Sequence, residues 1–345
     1  MRQLDIAVVI VTYRTGELTV QSISSIQAER SSPGINVRVV VVDNASGDAS
    51  IVSRAIEAND WYSWVTLVTA PKNGGFAYGN NLGIERACTD SVPSYVYLLN
   101  PDAQVRRGAI GTLARFLEAR PDAGIAGSGI ENADGTDWPI AFRFPNLLSE
   151  LNSGLGFGPV SRLLQRWAVA QTMPRSPRQV DWICGASMMI RPNVLAAVGG
   201  FDENYFLYFE ETDFCYRARR AGFATWYVPE SRVMHIRGQS TSVTDLTIGP
   251  RRLPAYWFES RRRYFAMTFG VGRAIGIDVV ALLAYSLGTA KQILLGRRDT
   301  IVPCFVRDLL RHSILWPANR GLPPPSKRAG CIARSPTIAG SRSSC

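Results

Sequence analysis

The alternation of apolar, strand-like runs with helix-like segments constrains the fold of this chain more than any other feature. Runs rich in Val, Ile, Tyr and Leu lie at residues 6–12, 37–42, 65–69 and 95–99. Segments with helical patterning follow them at residues 17–26, 51–58, 76–86 and 109–119. Repeated β–α units of this kind predict an α/β fold with a doubly wound, mostly parallel sheet, because parallel strands need crossover connections.

Polar turns follow these runs. They are Thr12-Tyr13-Arg14, Asp43-Asn44, Asn73-Gly74-Gly75 and Asn100-Pro101-Asp102. In open α/β sheets, ligands bind in the crevice at the carboxyl ends of the strands. The sequence therefore predicts a binding site where these four turns converge.

The second half of the chain has weaker patterning. Residues 124–152 show no regular period, and residues 150–178 are expected to form a variable loop with a short helix. Residues 180–190 are interpreted as one apolar strand in which Gly185 allows a close approach to the backbone. A helix is expected to open in YFLYFEETDF at residues 205–214, and a short strand at 225–228 precedes His235.

The chain lacks the sequence signatures of several enzyme classes. The chain has no GxGxxG fingerprint, no GxxxxGK[ST] loop and no GxSxG elbow, which argues against a nicotinamide enzyme, a P-loop NTPase and an α/β-hydrolase. Its six cysteines show no CxxC pairing, so we expect reduced thiols. The N-terminal residues do not match a signal peptide, and we expect a cytoplasmic protein.

Positive charge is concentrated in the C-terminal part of the chain. Residues 251–345 contain 16 basic and 4 acidic residues, whereas residues 1–250 are nearly neutral. We expect a main domain at 1–245, a helical basic extension at 246–318, and a disordered tail at 319–345, rich in Pro, Ser, Arg and Gly. Nucleic-acid binding would rest on this basic region alone and is not expected.

An apolar run at residues 274–295 has two interpretations. It could lie in the interface of an anionic membrane, or it could pack on the main domain. Asp278 and Lys291 argue against a membrane-spanning helix. In the membrane interpretation, lipid phosphates would be faced by Arg261, Arg262, Arg263, Arg297 and Arg298.

Two residues are candidate metal or phosphate ligands. Asp102 follows a buried strand and a proline, so its carboxylate is expected in the crevice, although an ordinary turn aspartate explains it too. His235 stands in a strand-like and then basic context, and a structural histidine is the alternative. Mg²⁺ and Mn²⁺ favour oxygen ligands and usually retain water and substrate phosphate, so few protein ligands suffice.

Three acids open the expected helix in YFLYFEETDF. Glu210, Glu211 and Asp213 are favoured there by the helix dipole, which is a sufficient structural explanation. The surrounding aromatic residues would raise the pKa of a carboxyl group and make it a stronger base. Glu210 and Asp213 share a helix face with Arg217, which predicts an ion pair, whereas Glu211 points elsewhere and could meet a substrate.

The order of these motifs resembles the family 2 inverting glycosyltransferases, and most closely their bacterial rhamnosyltransferase-like branch. The resemblance covers about residues 6–240 and is carried by VVIVTY, VVVDNASGD, NGGFAYGNNLGI, YLLNPDAQV, GASMMIR, GGFDENYFLYFEETDFCYRARRAGF and VMHIRG. It implies a GT-A fold that takes a sugar from a nucleotide diphosphate, with Mg²⁺ or Mn²⁺ as cofactor. The acceptor would be a hydroxyl of a glycan or of a polyprenyl-diphosphate-linked saccharide, in cell-wall or surface polysaccharide synthesis.

The resemblance also implies roles for individual residues. Donor binding would fall to Thr12, Tyr13, Arg14, Asp43, Asn73, Gly74, Gly75, Asn80, Asn100 and Asp102. Asp102 and His235 would hold the metal, Glu211 would be the catalytic base, and Asp213 would support it or orient the acceptor. Trp182, Gly185 and Glu210 would lie at the acceptor.

This sequence departs from the family pattern at two of these positions. Asn100 stands where the DxD metal motif has its first Asp, and Glu211 stands where many relatives have Asp.

The resemblance leaves the donor open. L-rhamnose from dTDP-rhamnose is the first expectation, and UDP-galactofuranose or UDP-glucose are alternatives on the same fold. A non-catalytic nucleotide-sugar-binding scaffold is an alternative of another class, but such a protein would be expected to lose the base or the metal acid. We expect peripheral attachment to the inner face of the cytoplasmic membrane through the basic C-terminal region.

Overall fold

A computed structural model describes residues 3–236 and 250–326. Its sheet contains β1 (Leu4–Thr12), β2 (Ile35–Asp43), β3 (Val65–Thr69), β4 (Tyr95–Leu99), β5 (Ala103–Val105), β6 (Ala123–Glu131), β7 (Asp137–Trp138), β8 (Arg178–Val180), β9 (Ser187–Ile190) and β10 (Ala224–His235). The α-helices are α1 (Gly16–Gln27), α2 (Ala49–Ala58), α3 (Gly75–Ala87), α4 (Ala109–Glu118), α5 (Leu147–Leu155), α6 (Gly158–Leu163), α7 (Pro192–Val198), α8 (Glu210–Arg220), α9 (Ala255–Phe269), α10 (Val271–Leu294) and α11 (Phe305–His312).

The sheet is parallel in its first half and mixed in its second. Its strand order is β3-β2-β1-β4-β9-β6-β10-β5, with β7 and β8 at the side. Strands β3, β2, β1 and β4 are parallel to one another, and β9 runs antiparallel between β4 and β6. Every residue of β4 is buried, as expected of a parallel strand covered on both faces. The predicted α/β architecture with a helical C-terminal region is confirmed.

The interpretation of residues 180–190 as one strand is wrong. The segment contributes the end of β8, which pairs with β10, and then all of β9, which pairs with β4 and β6. Between these strands the chain follows the wall of a large cavity at Trp182, Cys184, Gly185 and Ala186. The apolar composition of the segment reflects burial of both parts rather than one continuous strand.

Strand β6 lies in the segment that showed no regular period. Its sequence is AGIAGSGIE, and all but its last residue are buried. A Cβ atom at Gly127 would lie 2.3 Å from Ile183 Cδ1 and 3.0 Å from the Ser187 carbonyl oxygen. Close packing of the neighbouring chain therefore requires small residues, and small residues have low β-propensity.

Strand β10 is longer than the predicted strand at 225–228. Its register to β6 shifts between Val228 and Arg232, and the strand continues to His235, which pairs with Ala103 of β5. This extension carries His235 to the carboxyl end of β4, beside Asp102.

The expectation that Arg261 and Arg263 face lipid is wrong. Arg261 is buried and forms ion pairs of 2.6 Å with Glu150 of α5 and with Asp278 of α10. Arg263 is buried against Asp202, and Arg262 donates from Nη1 to the His312 carbonyl oxygen at 2.9 Å. These arginines hold the C-terminal helices onto the sheet domain, because buried charges require partners.

Helix α10 packs on α5 with one face only. A Cβ atom at Gly288 would lie 2.0 Å from the Gly154 carbonyl oxygen, so the two helices touch through glycines. Helix α10 is long and apolar enough to cross a membrane by length and composition, which is weak evidence when it stands alone. The structure thus supports packing on the main domain for the inner face of α10 and leaves its outer face exposed.

Two expectations about the chain's organisation fall mainly outside the described residues. The predicted domain boundary at 245 lies within residues 237–249, and most of the expected tail lies within residues 327–345. Among the cysteines that the structure describes, none forms a disulfide.

Candidate active site

A cavity of about 760 Å³ opens at the carboxyl ends of β1, β2 and β4. We call one side of it the strand-end wall, which consists of Tyr13, Asn44, Asn73, Asn100 and Asp102. We call another side the helical wall, which consists of Glu150, Ser153, Tyr256, Trp257 and Tyr285. Glu210, Glu211, Gly185, Trp182 and His235 also line the cavity. The predicted convergence of polar turns is therefore observed.

Asn44 organises the strand-end wall, although it was singled out only as part of a turn. Its Nδ2 donates to Asn73 Oδ1 and to the Gly75 carbonyl oxygen, both at 3.0 Å, and its Oδ1 accepts from the Gly74 N–H. Gly75 has φ +84°, and a Cβ atom there would lie 1.9 Å from the Phe206 carbonyl oxygen. Glycine is therefore required where the start of α3 meets the segment before α8.

Four of the residues predicted to bind the sugar donor contact other side chains or backbone groups of the chain close to the strand-end wall. The hydroxyl of Thr12 bonds that of Thr15, and Asp43 accepts from the Ser46 N–H. Asn80 donates to the Phe76 carbonyl oxygen at 2.9 Å. The Arg14 guanidinium lies 5.1 Å from the centre of the Tyr13 ring, which lines the cavity. Thr12, Asp43 and Asn80 are buried, so they support the wall, and Tyr13, Asn73 and Gly75 face the cavity.

Asn100, Asp102 and His235 converge on one point of the cavity. His235 Nε2 lies 3.0 Å from Asp102 Oδ1 and 3.2 Å from Asn100 Nδ2. The His235 ring stacks on Trp138 with a centroid distance of 5.7 Å. His235 Nδ1 is buried and has no hydrogen-bond partner among the described residues. The extended β10 thus brings together side chains that are 133 residues apart.

This group fits a divalent cation. The oxygen and nitrogen of an Asn side chain are assigned by hydrogen bonding, so Asn100 can equally present its oxygen. The group then offers a carboxylate, an amide oxygen and an imidazole nitrogen, which suit Mg²⁺ or Mn²⁺. No group of three or more His, Cys, Asp or Glu side chains that could hold a metal ion occurs in residues 3–236 and 250–326.

Glu211 is a half-buried residue whose carboxylate lies at the cavity. Its Oε1 accepts from the Gly185 N–H at 3.2 Å. Burial raises the pKa of Glu211 above the ordinary glutamate value, against the opposing effect of the backbone hydrogen bonds. A Cβ atom at Gly185 would lie 2.5 Å from Phe76 Cζ and 3.5 Å from Glu211 Cγ. Gly185 therefore fixes the position of Glu211 and leaves room for it.

The pKa of Glu210 is raised more strongly than that of Glu211. Burial, and then the neighbouring Glu211 carboxylate, raise the pKa of Glu210 well above its ordinary value. Its Oε2 is buried without a hydrogen-bond partner among the residues described. Two adjacent buried carboxyl groups cannot easily both be charged, so we infer that Glu210 retains its proton more readily than Glu211.

The backbone before these acids is strained. Tyr208 and Phe209 have φ values of 70° and 67°, which lie in the left-handed region that residues with side chains rarely adopt. Strain of this kind is concentrated at functional sites and is maintained by the surrounding structure. Here the Phe206 carbonyl oxygen accepts from the Phe76 N–H at 2.9 Å, which ties the strained segment to α3.

Asp213 is held by an arginine. Arg217 Nε donates to Asp213 Oδ2 at 2.7 Å, and the same guanidinium donates to the Val198 and Gly200 carbonyl oxygens. The predicted ion pair with Arg217 is thus present for Asp213. This ion pair stabilises α8. The role of Asp213 toward an acceptor stays a prediction.

The side of the cavity beside Trp182 contains more residues than the sequence indicated. Trp182 lines the cavity, stacks on Phe142 at a centroid distance of 4.2 Å, and donates from Nε1 to the Arg143 carbonyl oxygen; its role toward an acceptor stays a prediction. The helical wall was not predicted at all. Its residues come from α5, α9 and α10, and their only sequence signal was the aromatic cluster at Tyr256 and Trp257.

Comparison with protein families gives one match that spans most of the chain. Residues 3–248 match the family described as "Glycosyltransferase like family 2". The matched region contains the strand-end wall, His235, Glu210 and Glu211, and it ends before α9.

Curated relatives include two rhamnosyltransferases. The N-acetylglucosaminyl-diphospho-decaprenol L-rhamnosyltransferase of Mycobacterium tuberculosis is 31% identical over 246 residues, covering 68% of this chain and 76% of that protein. Rhamnosyltransferase WbbL of Escherichia coli is 26% identical over 166 residues, covering 47% of this chain and 60% of that protein. The resemblance to the rhamnosyltransferase-like branch is confirmed.

Solved structures support the fold. The mannosyltransferase PcManGT of Pyrobaculum calidifontis, in complex with GDP-Man and Mn²⁺, has a TM-score of 0.53 at 15% identity and covers 90% of this chain and 79% of its own. GalNAc-T7 with UDP, GalNAc and Mn²⁺ has a TM-score of 0.55 at 15% identity, covering 90% of this chain and 57% of its own. At this identity the likeness concerns the GT-A fold alone.

Proposed function

This chain belongs to glycosyltransferase-like family 2, and we propose that it transfers L-rhamnose from dTDP-rhamnose, with inversion, to a polyprenyl-diphosphate-linked saccharide. The observation that carries this proposal is the half-buried Glu211 carboxylate, whose pKa is raised and which faces the same cavity as the strand-end wall. The choice of rhamnose and of a lipid-linked acceptor is supported by the printed names of the relatives from M. tuberculosis and E. coli.

In this proposal the donor binds along the strand-end wall. Tyr13, Asn73 and Gly75 contact the nucleotide and its sugar, and Thr12, Arg14, Asp43, Gly74 and Asn80 hold those groups in place. Asn100, Asp102 and His235 face the diphosphate. The rigid strand ends fix this geometry, which reduces the entropy that the reacting groups must lose on binding.

Proton transfer is assigned to Glu211. Its carboxylate accepts the proton of an acceptor hydroxyl while that oxygen attacks the anomeric carbon. The bond from the anomeric carbon to the diphosphate oxygen breaks, and its electron pair leaves with the nucleoside diphosphate. Attack from the face opposite the leaving group inverts the anomeric configuration. A raised pKa makes Glu211 a stronger base than an exposed glutamate.

Metal dependence is part of the proposal. Asp102 and His235 would hold Mg²⁺ or Mn²⁺, with Asn100 as an additional oxygen ligand. A bound cation supplies positive charge against the departing diphosphate. Support comes from the convergence of these three side chains and from Mn²⁺ in the two structurally similar glycosyltransferases.

The acceptor is proposed to lie between Glu211 and the helical wall. Trp182 and the aromatic side chains of α9 offer flat surfaces for sugar rings, and Gly185 and Glu210 shape the space beside Glu211. A lipid-linked acceptor resides in a membrane, so we propose that the protein binds peripherally to the cytoplasmic face of that membrane.

Another donor on the same fold, such as UDP-galactofuranose or UDP-glucose, is the alternative to be tested. A non-catalytic scaffold is disfavoured because both the candidate base and the candidate metal ligands are present at one cavity.

The test is a panel of dTDP-, UDP- and GDP-sugars, assayed with N-acetylglucosaminyl-diphospho-polyprenol and with Mg²⁺, Mn²⁺ or EDTA. We expect transfer from dTDP-rhamnose, loss of transfer in EDTA, and an anomeric configuration in the product opposite to that of the donor, measured by NMR. Transfer from another donor alone would overturn the rhamnose proposal, and retention of configuration would overturn the mechanism.

A further inference from the structure

Exposed apolar side chains lie on α6, on the residue before it, and on and just after the C-terminal half of α10. They are Phe157, Leu163, Leu287, Leu294 and Leu295, with exposed fractions of 49%, 77%, 62%, 87% and 58%. We call these five residues the α6–α10 surface. Single exposed apolar residues are common, but a contiguous group of large ones indicates an interaction site.

Lys291 places Phe157 beside α10. Its ammonium donates to the Leu155 carbonyl oxygen at 2.8 Å and to that of Gly156, and it lies 5.9 Å from the centre of the Phe157 ring. Leu287 and Leu294 lie four residues before and three residues after Lys291, so all three share one side of α10. The row of leucines on α10 therefore runs beside Phe157.

Positive charge surrounds this surface. Arg162, Arg166, Arg297 and Arg298 are exposed. Within residues 3–236 and 250–326, none of these four arginines forms a salt bridge. Residues 151–170 contain no Asp or Glu, and Asp299 is the acid adjacent to the arginine pair. Apolar side chains ringed by arginine are typical of a surface that binds anionic lipid.

The outer face of α10 extends the apolar area. Gly276, Val279, Leu283 and Ala290 are exposed on it. Between Arg273 and Lys291 the sequence has one charged residue, Asp278, which is buried against Arg261. This uncharged stretch is about 25 Å long at the rise of an α-helix.

We propose that the α6–α10 surface docks onto an anionic lipid bilayer. A second copy of the chain is a poorer partner, because a two-fold contact would bring the arginines of both copies together. The segments 237–249 and 327–345 are poorer partners too, since their sequences are mainly polar or basic. Insertion of α10 across the bilayer would break the Arg261–Asp278 pair and the glycine contact with α5.

Docking in this way would place the cavity close to the bilayer. Helix α5 contributes Glu150 and Ser153 to the helical wall and leads directly to Phe157, and Tyr285 of that wall precedes Leu287 by two residues. A saccharide held on a membrane lipid would then reach the helical wall. This last step rests on the proposed function, whereas the docking itself does not.

The test is sedimentation of the full chain with vesicles of phosphatidylcholine, with and without about 30 mol% phosphatidylglycerol, a composition at which anionic attraction is expected to be strong. We expect binding to the anionic vesicles. Leu163→Ser/Leu294→Ser should weaken it about tenfold or more, because less apolar area enters the interface. Arg297→Gln/Arg298→Gln should weaken it about tenfold, with the loss reduced at high salt.

Matched controls carry the same chemical changes elsewhere. Tyr62→Ser removes an exposed apolar ring between α2 and β3, and Arg54→Gln/Arg115→Gln removes two exposed charges on α2 and α4. Both controls should bind like the wild type. Transfer to a water-soluble acceptor with a short alkyl chain should be unchanged in the α6–α10 variants, so a failure of docking is distinguishable from a failure of the enzyme.

Four results would overturn the proposal. One is wild-type protein that does not bind anionic vesicles, and another is equal binding by the α6–α10 variants and their controls. The third is a dimer in light scattering that Leu163→Ser/Leu294→Ser converts to monomer, with no change in vesicle binding. Protein that resists alkaline carbonate extraction from vesicles would contradict interfacial docking in favour of a spanning α10.

Discussion

The strand-end wall and the helical wall of the cavity are built in different ways. Residues of the strand-end wall follow consecutive strands of one sheet, and all of them lie within the region that matches the glycosyltransferase family. The helical wall combines α5 with α9 and α10, which lie beyond residue 248, and a buried Glu150–Arg261–Asp278 network holds these helices together. In the proposed function, donor binding belongs to the sheet and acceptor recognition to the helices.

Glu211 stands between the two walls, and its loss should have the largest effect. Glu211→Gln should lower the rate of transfer about 1,000-fold, because the proton then has no acceptor at the attacking oxygen. Donor affinity, measured by calorimetry, should stay within about twofold, since the strand-end wall is intact. Glu57→Gln, an exposed change on α2, is the control. Near-normal transfer by Glu211→Gln would remove Glu211 as the base.

A change in the strand-end wall should act on the donor. Asp102→Ala should weaken metal-dependent binding of the nucleotide sugar about 100-fold, because the carboxylate no longer helps to hold the cation against the diphosphate. In EDTA the variant and the wild type should bind the donor equally. Asp134→Ala, in an exposed turn after β6, is the matched control. Equal metal dependence in both variants would exclude Asp102 from the metal site.

Gly185 tests whether the position of Glu211 matters as much as its charge. In Gly185→Ala the new methyl group would lie 2.5 Å from Phe76 Cζ, so the ring or the Glu211 side chain must move. We expect kcat to fall about 10- to 100-fold with little change in donor affinity, because small displacements of reacting groups are costly. Gly321→Ala, where the methyl group meets open space, should be silent. Loss of donor affinity alone in Gly185→Ala would contradict this role.

A substitution in the helical wall should have the smallest of the four effects, and it should act on the acceptor. Tyr256 lines the cavity beside Phe206 and Tyr208, and its ring is only half-buried. Tyr256→Ala should raise the KM for the acceptor about tenfold, because one aromatic contact with the saccharide is lost. The KM for the donor should not change, and Tyr62→Ala should leave both constants unchanged. A larger effect on the donor would erase the distinction between the walls.

The sequence predicted the strand-end wall well because its signals are local. A buried parallel strand followed by a polar turn is visible within about ten residues, and the topology of such sheets brings the turns together. Asp102 and Asn73 could be selected on that ground. Strand β6 was missed because close packing against Ile183 and Ser187 requires the small residues that hide a strand signal.

The helical wall could not be predicted because its contacts are long-range. Glu150 and Arg261 are 111 residues apart in sequence, and no local pattern indicates that one will neutralise the other. The arginines at 261–263 were interpreted as a membrane-facing cluster, but burial with acidic partners has the same local appearance. For the same reason the outer leucines of α10 are recognisable only once its inner face is known.

The dependence of transfer on pH tests the central claim, that Glu211 accepts the proton, most directly. The base must be ionised, so kcat/KM should fall tenfold per pH unit on the acid side. Because burial raises the pKa of Glu211, the inflection should lie above the ordinary glutamate value, and Glu210 beside it should retain its proton at higher pH. We predict that the residual activity of Glu211→Gln loses the limb assigned to Glu211; an unchanged acid limb in the variant would contradict the account.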